Sequence, residues 1–264
     1  MKAILTDITK CIGCRECVAA CHRVNGMEPD SPRRWSSDDG LSARNWTSIV
    51  EREGQYVRKQ CRHCIEPACV SVCPVQALTR NQDGAVVYDS GRCMGCRYCM
   101  MACPFGIPRY DWDKLAPLVR KCILCTPRLA DGKQPACTEV CPTHATIFGE
   151  REALLAEAKR RISEQPDLYI NRIWGESELG GTSVLYISNI NLDFLTYGSR
   201  PPEKPLPQTT VTAMEAVPFA FIGMAGLMTG LHWFFKRREE VAGKEGDGES
   251  TGGGNKESGD AKSE

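Results

Sequence analysis

The residues most able to do chemistry in this chain are its cysteines, and one run of them has an informative spacing. It reads Cys93-Met-Gly-Cys96-Arg-Tyr-Cys99-Met-Met-Ala-Cys103-Pro104. Three cysteines two residues apart, then a fourth after three more residues and a proline, form the spacing of bacterial 4Fe-4S ligand loops. A zinc ribbon closes with two cysteine pairs and does not need the third cysteine of such a run. The spacing therefore predicts an iron–sulfur cluster, with zinc as the alternative.

Three other cysteine runs repeat this unit, the first with the same spacing and the other two with longer loops. They are Cys11, Cys14, Cys17 and Cys21; Cys61, Cys64, Cys69 and Cys73; and Cys122, Cys125, Cys137 and Cys141. The four runs use all 16 cysteines, so no thiol is left for a disulfide or a catalytic nucleophile. Since each 4Fe-4S cluster takes four thiolates, the 16 cysteines predict four clusters.

Apart from its cysteines, the chain has the composition of an ordinary folded protein. Its 33 basic and 33 acidic residues cancel, and no basic stripe is interleaved with aromatic residues. Nucleic acid is therefore not an expected partner. Residues 1–10 contain no apolar stretch and no cleavage site, so the sequence predicts no signal peptide there. Because much of the interior would be inorganic cluster, we expect folding and cluster insertion to be coupled.

Short strands are predicted to lead the chain into the cysteine runs. Residues 3–7 precede the first run, residues 55–59 the second and residues 85–89 the third. In residues 46–53, polar and apolar side chains alternate loosely, as they would in an exposed strand. Strands and short helices around paired clusters are typical of ferredoxins, so the predicted fold class is α+β.

After the cysteine runs, the sequence predicts a helix, a strand and an extended linker. Residues 150–164 carry apolar side chains at helical spacing, which favours a helix packed on the cluster region over a partner-docking helix. These side chains are Leu154, Leu155, Ala158 and Ile162. Residues 182–187 predict a strand, and four prolines between residues 201 and 207 predict a stiff linker.

Residues 216–235 predict a membrane-spanning helix. They run for 20 residues without a formal charge, which at about 1.5 Å per residue matches one hydrocarbon thickness of about 30 Å. The buried helix of a soluble core is the alternative. Lys236, Arg237 and Arg238 follow at once, so the positive-inside rule predicts a cytoplasmic C-terminus and a cluster region on the other face. His232 is a candidate haem ligand or quinone contact, although snorkelling to the interface is the simpler explanation.

Five segments follow from these patterns. They are a four-cluster region (1–149), a packing helix and strand (150–200), a proline-rich linker (201–215), a transmembrane helix (216–235), and a basic stop with a disordered tail (236–264).

The four runs can be paired in more than one way, because the last cysteine of a run ligates the cluster of its partner run. Neighbouring runs can pair, or the middle two can pair and leave the first and fourth to each other. Only about twenty residues separate Cys73 from Cys93, as in a compact two-cluster ferredoxin, so the spacing favours the nested scheme. The first run departs from the pattern because His22, and not proline, follows Cys21.

The chain resembles the iron–sulfur β subunit of membrane-bound formate dehydrogenases and the equivalent subunit of periplasmic nickel–iron hydrogenases. The resemblance extends from Leu5 to the apolar helix. Besides the four runs in order, its marks are Leu-Ser-Ala-Arg-Asn-Trp-Thr at 41–47, Gly-Cys-Arg-Tyr-Cys-Met at 95–100, Cys141-Pro142 before Ile147-Phe148-Gly149, and Gly180-Gly181-Thr182. These marks are specific for a four-cluster subunit and much less specific for the enzyme it serves.

The resemblance implies two pseudo-symmetric two-cluster ferredoxin-like domains with nested pairing, followed by a single C-terminal transmembrane helix. One domain would hold runs 11–21 and 122–141, and the other runs 61–73 and 93–103. The implied ligand sets are Cys11, Cys14, Cys17 and Cys141 for cluster 1; Cys122, Cys125, Cys137 and Cys21 for cluster 2; Cys61, Cys64, Cys69 and Cys103 for cluster 3; and Cys93, Cys96, Cys99 and Cys73 for cluster 4.

The resemblance also implies the subunit's role and its partners. Electrons would pass through four 4Fe-4S clusters between a catalytic α subunit and a membrane cytochrome b or other quinone-reactive subunit. The catalytic subunit would be a pterin-dependent formate dehydrogenase that carries the export signal, so that the cluster domain reaches the periplasmic face. The alternative is the same electron-transfer role in a nickel–iron hydrogenase or another pterin-dependent oxidoreductase. A zinc-binding scaffold protein is the alternative from a different class.

This subunit would have no catalytic residue of its own, because no iron is left open when every cysteine ligates. Charged side chains near the cysteines could raise cluster potentials, although each could equally be solvated. They are Arg15, Arg62, Arg97 and Lys121. Three histidines beside the runs are interpreted as packing residues or hydrogen-bond donors, not ligands. They are His22, His63 and His144.

Overall fold

The computed structural model describes residues 1–27, 39–112, 118–196 and 201–247. It divides the chain into two units, Met1–Thr209 and Thr210–Glu264. The strands in the described residues are β1 (Lys2–Asp7), β2 (Thr47–Arg52), β3 (Gln55–Gln60), β4 (Leu78–Arg80), β5 (Val86–Tyr88), β6 (Arg109–Tyr110), β7 (Val119–Arg120), β8 (Thr146–Glu150) and β9 (Val184–Ile187). The α-helices there are α1 (Glu16–Asn25), α2 (Ala68–Ser71), α3 (Tyr98–Ala102), α4 (Thr126–Ala130), α5 (Ala136–Glu139), α6 (Arg151–Glu164) and α7 (Gln208–Asp247).

Strand β1 is the centre of the first unit. It pairs antiparallel with β8 and parallel with β9, and it is buried on both faces. Because side chains alternate along a strand, Ala3 and Leu5 pack against α6, whereas Ile4 packs on the side that holds Cys137. This sheet therefore separates a helix layer from the cysteine-bearing layer.

Three two-stranded hairpins support the cysteine runs: β2–β3, β4–β5 and β6–β7. The β2–β3 turn has Glu53 and Gly54 at φ 50° and 72°, the backbone of a tight two-residue hairpin loop. Strand β3 ends at Gln60 and delivers the chain directly to Cys61. The hairpins thus fix where the second, third and fourth runs begin, and β1 leads into the first.

Most of the predicted elements are confirmed. The predicted strands correspond to β1, β2, β3, β5 and β9, each within a few residues. Helix α6 buries all four side chains of its predicted apolar stripe, and Ala158 is 0% exposed. Since α6 packs on β1 and β9, the interpretation as a packing helix is correct.

The predicted linker is shorter than expected. Residues 201–207 are held by hydrogen bonds from the Leu179 amide to the Pro202 carbonyl (2.8 Å) and from the Gly180 amide to the Glu203 carbonyl (2.7 Å). Helix α7 begins at Gln208, so the prediction of an extended chain over residues 208–215 was wrong. That stretch contains no proline or glycine, and nothing in it prevents helix formation.

In the second unit, α7 is apolar around much of its circumference. Gln208–Val241 is the one candidate membrane span in the described residues, with a mean hydropathy of 1.6 over its most apolar window. None of that window is buried within the chain, and large apolar side chains such as Phe219, Ile222 and Leu227 are exposed. A helix with this composition suits a lipid environment. Helix α7 continues to Asp247, so the prediction of disorder was wrong for residues 243–247. From residue 248 onward, the predicted disordered tail lies outside the described residues.

Candidate metal centres

Four thiols from two distant runs line one cavity. Cys11, Cys14 and Cys17 come from the first run, and Cys141 comes from the fourth. We call these thiols the first cysteine group. Cys14 is its most exposed member, since the other three are partly buried.

The backbone of the first run is shaped to wrap the three thiols around this cavity. Gly13 and Arg15 have left-handed φ values of 69° and 62°, and α1 begins at the next residue. A Cβ on Gly13 would lie 2.7 Å from the Tyr56 ring, so the loop can approach this ring only with glycine at that position. Cys21, one turn further along α1 than Cys17, is left for a different cavity.

The second cysteine group lines a neighbouring cavity. It contains Cys122, Cys125 and Cys137 from the fourth run and Cys21 from the first. Burial is the main reason that the pKa of Cys21 rises to about 12. The thiols of Cys137 and Cys125 are the next contributors, which places the three close together.

The third cysteine group joins the second and third runs. Burial raises the pKa of Cys64 well above its ordinary value. The next contributions come from the other three thiols of the group, which are Cys103, Cys61 and Cys69. Leu41, Phe105 and Ile107 pack against these cysteines and exclude water from them.

The fourth cysteine group lies at the start of α3. Burial raises the pKa of Cys99 to about 11. The next contributions come from the other three thiols of the group, which are Cys93, Cys73 and Cys96. The environment is apolar on the inner side, where Leu78, Val86 and Val119 pack, whereas Cys96 is exposed. Each of the four groups thus takes three thiols from one run and one from another, as in the nested scheme, while ligation itself remains a prediction.

The cysteine groups adjoin one another in numerical order. Cys17 of the first group and Cys137 of the second share one apolar cluster. Cys122 of the second group and Cys61 of the third share another. Cys69 of the third group and Cys99 of the fourth meet in the cluster around Leu78. The 16 thiols therefore form a continuous row of four groups through the first unit.

The thiols have the environment that iron–sulfur clusters require. Buried neutral thiols with raised pKa values, such as Cys21 and Cys69 at about 12, become thiolates only when a metal supplies the compensating charge. Backbone amides donate to sulfur from Ala77 to Cys73 (3.2 Å) and from Leu124 to Cys122 (3.4 Å). In the described residues, no three potential ligands are close enough to hold a single metal ion. The thiols of the first and second groups line cavities and do not converge on a point, which fits a polynuclear group.

The predicted basic side chains divide into buried and exposed pairs. Arg62 is 5% exposed and stacks on the rings of Phe105 and Tyr186. Lys121 is 3% exposed and donates to the carbonyls of Cys122 (3.0 Å) and Val86. By contrast, Arg15 and Arg97 are exposed. Arg97 lies over the rings of Tyr110 and Trp112, so Arg15 is the one of these two that corresponds to the solvated alternative. Arg62 and Lys121 are therefore the members of this set that can act on the thiols in a low dielectric.

The histidines beside the runs are not grouped with the cysteines as ligands. The ring of His22 hydrogen-bonds Asn45 Oδ1 (3.0 Å), and His63 is fully buried and accepts from the Val86 amide (2.9 Å). His144 is exposed, so it does not pack in the interior, and a hydrogen bond from it to a cluster stays a prediction. It occupies a left-handed turn position (φ 50°).

Sequence reasoning missed Arg58, which lines the cavities of both the first and the second cysteine groups. It lies on β3, outside the cysteine runs, and nothing in their spacing points to it. A signal was available in the strand itself, because Arg58 follows the apolar Val57 in a strand that ends directly at Cys61.

Comparison with known proteins agrees with this site. Residues 52–151 match the 4Fe-4S dicluster domain family. The chain is 39% identical to the hydrogenase-2 operon protein HybA of Escherichia coli O157:H7, over 75% of each chain. It is 34% identical to the formate dehydrogenase-O iron–sulfur subunit of Escherichia coli K12, over 84% of this chain and 79% of the relative. A protein from Nitratidesulfovibrio vulgaris is 38% identical over 92% of this chain and 69% of its own length.

The mixed helix and strand fold, the dicluster domain and the cysteine groups define an iron–sulfur electron-transfer protein with one candidate membrane helix. Within that class, the chain belongs to the family of iron–sulfur subunits of formate dehydrogenase and hydrogenase complexes.

Proposed function

We propose that this chain carries electrons through four 4Fe-4S clusters, one held by each cysteine group. The observation that carries the proposal is the row of four groups of thiols: the first and second groups line cavities, and apolar side chains pack against thiols of the third and fourth. When bound, each cluster would accept and release one electron. The ligand sets are those of the four groups, with Cys141, Cys21, Cys103 and Cys73 as the thiols supplied by a partner run.

The chain's own residues would space and tune the clusters. Apolar side chains such as Leu124 and Leu78, both 1% exposed, keep water from the inner thiols and lower the local dielectric. Amide donors to sulfur, such as Ala77 N–H to Cys73, stabilise negative charge there and so favour the reduced cluster. This role requires no proton or substrate atom to be handled by the chain.

We further propose that the cluster region consists of two pseudo-symmetric domains. Support comes from the strand order: β1, which precedes the first run, pairs with β8 after the fourth, and β5, which precedes the third run, pairs with β4 after the second. The loops also correspond, since Gly13 and Arg15 have φ values of 69° and 62° and Gly95 and Arg97 have 75° and 64°. The segment boundaries at residues 149, 200 and 235 are part of this proposal.

The two ends of the row are suited to exchange electrons with partner proteins. Cys14 at one end and Cys96 at the other are the two exposed thiols of the chain. Each is flanked by exposed apolar side chains, with Ile12 at 60% beside Cys14 and Met94 at 65% beside Cys96. We propose that a catalytic subunit covers one end and that a membrane cytochrome b or quinone-reactive subunit receives electrons from the other.

The proposed location is the inner membrane, with α7 as a single span. The cluster region would lie on the periplasmic face and the C-terminus in the cytoplasm, which the basic residues after the span, Lys236 and Arg237, support.

Formate dehydrogenase and nickel–iron hydrogenase are both candidate catalytic partners. The formate dehydrogenase-O relative shares the larger fraction of both chains, and the hydrogenase-2 relative has the higher identity, 39% against 34%. An anaerobic affinity purification of this chain from native membranes in mild detergent separates them. Molybdenum or tungsten with a pterin subunit supports the first partner, and nickel with a hydrogenase subunit supports the second. Recovery of zinc without iron would refute electron transfer.

A further inference from the structure

Arg58 is a buried cation shared by two cysteine groups. Its side chain lines the cavities of the first and the second group and is 2% exposed. Cys17 lines the first of these cavities together with Arg58, and Cys137 lines the second. These two thiols belong to different groups, so the guanidinium lies between the groups and not beside one of them.

The charge of Arg58 has no carboxylate partner in the described part of the chain. Its Nε donates to Thr47 Oγ1 (3.1 Å), and its Nη2 donates to Gln60 Oε1. Its Nη1 is buried and has no hydrogen-bond partner among the described residues. Both side chains that fix the guanidinium are neutral, and removing an arginine charge from water without a compensating anion costs several kcal/mol. The anion that this arrangement is built for must therefore come from the two cavities.

We infer that Arg58 supplies one positive charge to the clusters of the first and second cysteine groups and raises the reduction potentials of both. The inference rests on the proposed four-cluster function. A thiolate-bound cluster is anionic, and the electron added on reduction increases its negative charge. A fixed cation between two such clusters therefore stabilises their reduced forms more than their oxidised forms. The open Nη1 can also donate to a cluster sulfur, which acts in the same direction.

The test is a redox titration of the whole complex that carries Arg58→Met, with the clusters monitored by electron paramagnetic resonance. Methionine preserves much of the side-chain volume but removes the charge. We expect two of the four clusters to become harder to reduce. At a fixed potential, their reduced-to-oxidised ratio should fall at least tenfold, which corresponds to a reduction potential lower by about 59 mV for a one-electron couple. For the other two clusters, the reduced-to-oxidised ratio should change by less than threefold. Arg58→Lys, which keeps the charge, should restore most of the shift.

Lys59→Met is the matched control. Lys59 is the next residue on β3, so its side chain points to the opposite side of the strand. Its ammonium group is paired with Asp39 (2.7 Å) and lines neither cavity. Removing this charge should change the reduced-to-oxidised ratio of each of the four clusters, at fixed potential, by less than threefold.

Each outcome decides the inference. It is refuted if Arg58→Met retains four clusters with unshifted potentials, if all four clusters shift equally, or if Lys59→Met shifts the same two. If Arg58→Met loses clusters, Arg58→Lys decides: normal potentials in that variant support a charge effect, and loss of the same clusters refutes it. Absence of iron from the unmodified complex would instead refute the four-cluster function itself.

Discussion

Replacing Gly13 with alanine should loosen the loop that carries three thiols of the first cysteine group. Gly13 has φ 69°, a conformation that costs an L-residue about 1–2 kcal/mol. In addition, the new Cβ would lie 2.7 Å from the Cγ and Cδ1 atoms of Tyr56, and overpacking of this kind typically costs about 1–3 kcal/mol. The sum is a destabilisation of roughly 2–5 kcal/mol, concentrated at one cluster.

Gly54→Ala provides a matched control for the backbone part of this cost. Gly54 has nearly the same φ, 72°, but a Cβ there would meet no atom within 4 Å. Only the left-handed penalty of about 1–2 kcal/mol applies to it. The difference between the two variants isolates the contact with Tyr56, and 1–3 kcal/mol corresponds to a roughly 5- to 150-fold change in the population with an open loop.

The assay is the rate at which the visible absorbance of the clusters is lost in a fixed concentration of guanidinium chloride, together with iron per chain. Gly13→Ala should lose its first cluster much faster than Gly54→Ala, and adding Tyr56→Ala should recover the contact part of the loss but not the backbone part. Equal rates for Gly13→Ala and Gly54→Ala would show that the packing of Tyr56 on this loop does not hold the first cysteine group.

Two other changes have clear expected results. Cys141→Ser should perturb the same electron paramagnetic resonance signal as Cys11→Ser, because both cysteines line one cavity. Cys21→Ser should likewise perturb the same signal as Cys125→Ser. Matching effects of Cys21→Ser and Cys11→Ser would contradict the nested ligand sets. Ending the chain after residue 207 should remove α7 and release the subunit from carbonate-washed membranes while its iron content stays the same; a truncated chain that resists extraction would show that partners, and not α7, hold it there.

Features with a strong local pattern could be predicted from the sequence. The strands before the cysteine runs and the apolar stripe of α6 follow from period or spacing, and the structure contains them. The nested pairing of the runs also comes from spacing, and it stays a prediction. Hairpin β6–β7 was missed because its strands have two residues each. A pair that short has no detectable alternation and is set by the loops around it.

Other features depend on tertiary packing that a single sequence does not reveal. Arg58 became a site residue only when β3 was placed between the cavities of two distant runs. Conversely, His144 is next to a cysteine run in sequence, yet its turn points it into solvent. Proximity along the chain was therefore a good guide to the thiols and a poor guide to the residues that surround them.

The most direct test of the central claim is a count of iron and acid-labile sulfide per chain in the complex purified without oxygen. Four 4Fe-4S clusters on the four cysteine groups predict about sixteen of each, after subtraction of any cluster in the partner subunits. A count near eight would contradict the account by leaving two of the groups without clusters. Zinc in place of iron would contradict it completely.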